Sequence, residues 1–179
     1  RVRMAKEGKG TPSSSRLING LVLEKRLALE RMPRQLKECQ VAVLSCPLEL
    51  ESSVVSSEIE ISTPEQYEAF IAAEQKQIDS ITQKAINSGA MAIFSAEGID
   101  QRILHSLADA GIFALGGIEK PMAEDIAKAS GAMLCDHLDD VSSSLGSIES
   151  LLHQRLEGAE GVRERLIIEI GPNAGIVTI

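Results

Sequence analysis

The span from Gly89 to Cys135 constrains this chain more than any other. MAIFS (Met91–Ser95) reads as a strand and IDQRILHSLADA (Ile99–Ala110) as a helix stopped by Gly111. IFAL (Ile112–Leu115) reads as a second strand, PMAEDIAKAS (Pro121–Ser130) as a helix stopped by Gly131, and AMLC (Ala132–Cys135) as a third strand. Short apolar strands alternating with amphipathic helices across brief loops fold as right-handed βαβ units around a parallel sheet. The fold class is therefore α/β. LINGLVL (Leu17–Leu23), QVAVLSC (Gln40–Cys46) and RLIIEI (Arg165–Ile170) add three buried-type strands. The basic start and GKGTPSSS within residues 1–16 read as a linker or surface loop. A chain of 179 residues has room for one domain with a real core.

One stretch fits that scheme poorly. In SVVSSEIEISTPEQYEAF (Ser53–Phe70), Val55, Ile59 and Ile61 alternate with polar residues as in a strand with one apolar face. Serines and acids surround it, so that face has nothing near in sequence to lie on. A helix follows, with Thr63 as N-cap, Pro64 at its first position and Gln66 completing a capping box. Apolar residues then recur at Tyr67, Phe70, Ile71, Ile78, Ile81 and Ala85, and Gly89 ends it. At 1.5 Å per residue that helix is roughly 35 Å long, more than a small core needs.

Composition narrows the function classes. Aromatic residues make up 2% of the chain, too few for the stacking platforms that hold single-stranded nucleic acid. A net charge of −8 opposes binding to a phosphate backbone. No apolar run approaches membrane-spanning length and the start lacks a signal-peptide core. Cys39, Cys46 and Cys135 are odd in number and share no metal-ligand spacing, which fits buried thiols in a reducing compartment and a cytoplasmic location.

The residues that carry chemistry elsewhere are sparse here. CDHLDD (Cys135–Asp140) holds a thiol, an imidazole and three carboxylates, but ligands so close in sequence seldom converge without a defined turn. A strand end followed by an acidic loop is the commoner use. His105 and His153 stand apart from any nucleophile and read as solvated or core histidines. Gly116-Gly117 precedes a helix, as a phosphate loop does, yet neither GxGxxG nor GxxxxGK[ST] occurs, so a turn is expected. Glu58/Glu60 and Asp139/Asp140 could pair as acid and base, but without a pocket they are solvated carboxylates. No catalytic residue and no metal or cofactor ligand is assigned, and this chain is expected not to be an enzyme.

Four segments together resemble the apical domain of group II chaperonins, the archaeal thermosome and its eukaryotic relative TRiC. They are VAVLSCPLEL, STPEQYEAFIAAEQKQIDSITQKAINSGA, AEGIDQRILHSLADAGIFAL and IAKASGAMLCDHLDD, in the family's order and spacing. The resemblance covers nearly the whole chain. It implies a parallel βαβ core with additional β strands and a long helical protrusion at about residues 49–75, which supplies a built-in lid where subunits meet. Leu50, Val54, Val55, Ile59, Ile61, Tyr67, Phe70 and Ile71 would belong to that lid segment, and its apolar face would be covered only when the lid assembles. Residues 16–171 would be the client-binding domain. Residues 1–15 would be an intermediate-domain flank and linker, and 172–179 a returning intermediate-domain strand.

In the helix Ile99–Ala110, Ile99, Ile103 and Leu107 repeat every four residues and should face the sheet. Gln101, Arg102, Leu104, His105, Ala108 and Asp109 lie opposite, and the resemblance makes that side the client surface. It also implies ATP and Mg in an equatorial domain this chain lacks, no cofactor here, and unfolded proteins and neighbouring ring subunits as partners, without nucleic acid or membrane. The chain departs from the family at Gly116-Gly117, where thermosomes usually carry two arginines, and at Glu97, where a basic residue is usual. SIESLLHQRL (Ser147–Leu156) has helical spacing where the family has a strand, and a strand is expected. Two other classes compete with the client-binding module. One is a small α/β ligand-binding or enzyme domain with a site near Ser95–Gly98 and Leu115–Gly117, at the strand C-terminal ends. The other is an oligomerisation module built on the long helix.

Overall fold

The computed structural model describes residues 2–5, 15–50, 63–158, 161–172 and 175–179. Nine strands and three α-helices follow in chain order among the described residues: β1 (Val2–Arg3), β2 (Gly20–Leu23), β3 (Gln35–Leu44), α1 (Pro64–Asn87), β4 (Ala92–Ser95), α2 (Gln101–Asp109), β5 (Phe113–Leu115), α3 (Lys120–Ser130), β6 (Leu134–Cys135), β7 (Gly146–Gly158), β8 (Gly161–Glu169) and β9 (Val177–Thr178). A 3-10 helix, Leu138–Ser143, links β6 to β7.

The main sheet runs β2-β8-β7-β3-β4-β5, with β6 beside the end of β3. Its β3–β4, β4–β5 and β3–β6 pairs are parallel, as the strand–helix rhythm requires, and the β2–β8–β7–β3 half is antiparallel. Period-two alternation then splits the core. Val41, Val43, Ala92, Phe94, Phe113 and Leu115 point to the face covered by α3, where Ala123, Ile126 and Ala127 pack. Ala42, Leu44, Ile93 and Ala114 point to the other face, covered by α1 and α2 through Ile78, Ala85, Ile103 and Leu107. On the α3 side the rings of Phe94 and Phe113 lie 5.8 Å apart at 53°, a tilted contact that two aromatic edges favour.

The helix ends follow from local chemistry. Thr63 accepts a hydrogen bond from the Gln66 N–H at 3.3 Å and Pro64 opens α1, as its sequence predicts. Gly131 closes α3 in the left-handed region, at φ +75. Gly20 is fixed for another reason: a Cβ there would lie 1.8 Å from the Ile168 carbonyl oxygen, so β2 and β8 can approach only without a side chain.

Several strands differ in extent from the sequence reading. The second begins at Gln35 rather than Gln40, and β8 begins at Gly161 rather than Arg165, because long antiparallel pairing extends both. AMLC is paired only at Leu134–Cys135. The ambiguous SIESLLHQRL lies within β7 and is a strand. The two ends of the chain meet: β1 pairs in parallel with β9, matching Val2 with Val177 and Arg3 with Thr178. No helix of the described residues is long and apolar enough to cross a membrane.

Candidate functional site

The surface formed by α1, α2 and the loop between β2 and β3 holds most of the residues singled out by sequence. Helix α2 starts on Asp100, whose carboxylate accepts the Arg102 N–H at 2.7 Å. The Arg102 guanidinium bridges Asp100 at 3.2 Å and Glu74 of α1 at 3.1 Å, so it pins the two helices together. Hydrogen bonding from Arg102 holds the Asp100 carboxyl below the usual carboxylate range, and the same bond raises the guanidinium further. At the other end of α2, Arg31 reaches across from the loop. It contacts Asp109 at 2.8 Å, His105 Nδ1 at 2.5 Å and the His105 carbonyl at 3.3 Å. A guanidinium donating to Nδ1 requires that nitrogen to carry its lone pair.

Gln101, Arg102, His105 and Asp109 are exposed, as expected of an outward face. Leu104 and Ala108 are not: they are 9% and 8% exposed and belong to the cluster that includes Ile78 and Ala85 of α1. The sequence reading gave α2 one packing partner, the sheet, whereas α1 lies along its second side. Residues one apart from the sheet-facing Ile103 and Leu107 are thereby covered, and their placement on an open surface is corrected. Ile103 and Leu107 do face the sheet and are fully buried, while Ile99 is half-buried.

Helix α1 changes character along its length. Its buried residues are Ile78, Thr82 and Ala85, all in the second half, with Ile81 half-buried beside them. Every residue from Thr63 to Ala73 is exposed, including Tyr67 at 57%, Phe70 at 39% and Ile71 at 45%. The ten helical residues among them, Pro64–Ala73, amount to roughly 15 Å of helix with no buried residue. Leu50 is half-buried against the α1–α2 cluster. Val54, Val55, Ile59 and Ile61 lie outside the described residues.

At the strand C-terminal ends, the polar groups are spent on one another. Ser95 is buried and donates through Oγ to the Cys46 carbonyl at 2.9 Å, while accepting the Glu97 N–H at 3.1 Å. The Gly117 N–H, which a phosphate loop would offer to a ligand, goes to the Glu97 carbonyl at 2.8 Å, and Ile118 N–H goes to Ser95. Gly116 packs so closely on Glu97 and Ile99 that an added Cβ would lie 3.0 Å from both. This is a packed turn. CDHLDD likewise disperses: Asp136 accepts from Ser45 Oγ, Asp139 pairs with Lys84 at 2.7 Å, and Cys135 Sγ turns to the Met133 carbonyl. Burial pushes the Cys39 and Cys46 thiols up, away from the reactive thiolate.

Two features escaped the sequence reading. Arg31 acts on His105, 74 positions away, and no local pattern connects them. Arg26, Arg34 and Arg155 meet around a cleft between the β2–β3 loop and the β7–β8 hairpin. The run EKRLALERMPR (Glu24–Arg34) is dense in charge, and that density was the signal available.

Comparison with known proteins bears on the whole chain. The profile of the TCP-1/cpn60 chaperonin family matches residues 1–179. The thermosome subunit of Methanopyrus kandleri is 31% identical over 158 residues, covering 88% of this chain and 29% of that protein. Thermosome subunit alpha of Archaeoglobus fulgidus is 32% identical over 179 residues, covering 99% of this chain and 32% of its own length. The fold matches the open-state monomer of a group II chaperonin from Methanococcoides burtonii with a TM-score of 0.75 at 24% identity, over 99% of this chain and 37% of that one. The chain thus spans about a third of the length of the relatives it matches.

Proposed function

The chain belongs to the TCP-1/cpn60 chaperonin family, and from that premise we propose that it is the client-capturing and lid-forming apical domain of a group II chaperonin. The observation that carries this reading is the uncovered first half of α1, with Tyr67, Phe70 and Ile71 in solvent beside the polar face of α2. Solvated apolar side chains interspersed with charge suit weak, promiscuous capture of unfolded segments better than a tight hydrophobic groove does. Gln101, Arg102, His105 and Asp109 supply the polar part of that surface. The first half of α1, continuing from the segment before Thr63, supplies the lid.

In this reading residues 16–171 form the client-binding unit, while 1–15 and 172–179 lead toward an intermediate domain. The parallel pairing of β1 with β9 supports the last point, because it brings both ends of the chain to one place. ATP and Mg belong to the equatorial part of the longer protein, which assembles into rings of neighbouring subunits. This chain binds no nucleotide of its own.

The test is capture of a chemically denatured protein by the chain. Tyr67, Phe70 and Ile71 replaced together by Ser should weaken capture severalfold, and Gln101→Glu with His105→Glu should weaken it further. Exposed positions of this kind shift stability by no more than about 0.5 kcal/mol, so thermal melts should hardly move. Capture undiminished in both variants would remove the α1–α2 surface from the reading. Concentration-dependent dimerisation abolished by the α1 variant would assign that helix to assembly instead.

A further inference from the structure

The β2–β3 loop and the β7–β8 hairpin line a cleft of about 130 Å³ that includes neither Arg31 nor any residue of α2. Arg26, Glu30 and Arg34 line it from the loop, and His153, Arg155 and Glu164 from the hairpin. The cleft is held in shape. The His153 N–H donates to the Arg34 carbonyl at 2.8 Å, and the Leu27 N–H donates to Glu164 at 3.3 Å. In the antiparallel register Arg155 stands directly opposite Glu164, the position from which a cross-strand ion pair would form. Glu164 instead turns to His153 Nε2, 3.1 Å away, and to the Leu27 N–H.

Arg155 is thereby left without a carboxylate. Among the described residues the guanidinium groups of Arg26 and Arg34 also have no ion pair or hydrogen bond, and Glu30 is the one remaining carboxylate of the lining without a partner. Three guanidiniums against the carboxylates of Glu30 and Glu164 leave this cleft locally cationic on a chain whose net charge is −8. Guanidinium offers paired N–H donors in a fixed fork that matches the oxygens of phosphate. The cleft has room for one such group and its hydrating water.

We infer that this cleft is a binding site for a phosphate-class oxyanion, free or esterified to a small molecule. Arg26, Arg34 and Arg155 hold its oxygens, and Glu30 moderates the affinity. The site is separate from the α1–α2 surface and stands whether or not that surface captures clients.

The experiment titrates the 179-residue chain with sodium phosphate, and in a parallel arm with sodium chloride at matched ionic strength, following the arginine side-chain N–H resonances. Phosphate should give saturable shifts that chloride does not reproduce. Arg34→Gln combined with Arg155→Gln should weaken phosphate at least about tenfold, since each charge-assisted pair removed is strong. Glu30→Gln should tighten it severalfold, an effect that a damaged fold cannot imitate. Glycerol 3-phosphate separates the sources: tighter binding than phosphate assigns the site to an ester, equal or weaker binding to the free ion. Chloride reproducing the shifts, or Glu30→Gln leaving the affinity unchanged, overturns the inference.

Discussion

Asp100 concentrates several roles in one carboxylate: it caps α2, pairs with Arg102, and through Arg102 joins the network to Glu74 of α1. Arg102 holds its carboxyl below the usual range, which gives the residue a pH signature. A carboxyl depressed in the folded state contributes stability above its unfolded value of about 3.9 and loses it as pH falls through the folded value. Asn caps a helix nearly as well as Asp, so Asp100→Asn isolates the charge. Urea unfolding should show the variant about 0.5 kcal/mol less stable at pH 7, the size expected of a mostly solvated pair at a helix start. The gap should narrow as pH falls through the folded value and the carboxyl takes up its proton. A difference that does not change with pH would mean the side chain's shape, not its charge, carries the effect.

At the scale of elements, α1 is two structures in one helix. Its second half is fixed by Ile78, Thr82 and Ala85 against α2 and the sheet, while Pro64–Ala73 are all exposed and are followed by the one ion pair from Arg102 to Glu74. An unsupported helical segment of this length is marginal in water, since most helical stability comes from packing an apolar face. Amide hydrogen exchange should therefore run much faster over Glu68–Ala73 than over Ile78–Ala85, approaching local fraying at the start of the helix. Uniform protection along α1 would require cover that the described residues do not provide.

The caps, Pro64 and the glycine stop made α1 legible from sequence, because such signals act within one turn. β7 was less legible for a physical reason. Ile148 and Leu151 are three residues apart, a helical interval that strict strand alternation would send to opposite faces. Both nevertheless enter the α3-side core, and β3 has its one non-glycine residue of positive φ, Glu38 at +47, between the pairs Lys37–Ser150 and Cys39–Ile148. A kink in a neighbouring strand cannot be read from β7's own sequence. The same limit hid the cover over Leu104 and Ala108. Periodicity shows that α2 has an apolar side, but the width of that side depends on whether a second element, α1, lies against it.

The whole molecule is organised by its sheet, whose two faces carry separate cores. On the α1–α2 face stands the surface proposed for clients; on the α3 face the terminal pair β1–β9 is tied down. Arg3 makes an ion pair with Asp125 of α3, which is 3% exposed, and reaches Met122 Sδ at 3.5 Å. Removing Arg3 would loosen β1 and β9 from α3 and take one partner from the buried Asp125 carboxylate, so Arg3→Ala should cost about 1–3 kcal/mol. Leu104→Ala empties part of the layer between α2 and α1 and should cost about 2–3 kcal/mol. The two sites share no cluster and are separated by the sheet, with its packed layers about 10 Å apart. Their costs should therefore add to within about 0.5 kcal/mol in the double variant. A larger interaction energy, measured by urea unfolding of the four proteins in the cycle, would mean that the sheet transmits strain between its faces. The orientation of the terminal strands would then be coupled to the packing of α1 on α2, and a pull on the chain ends would reach the surface proposed for clients.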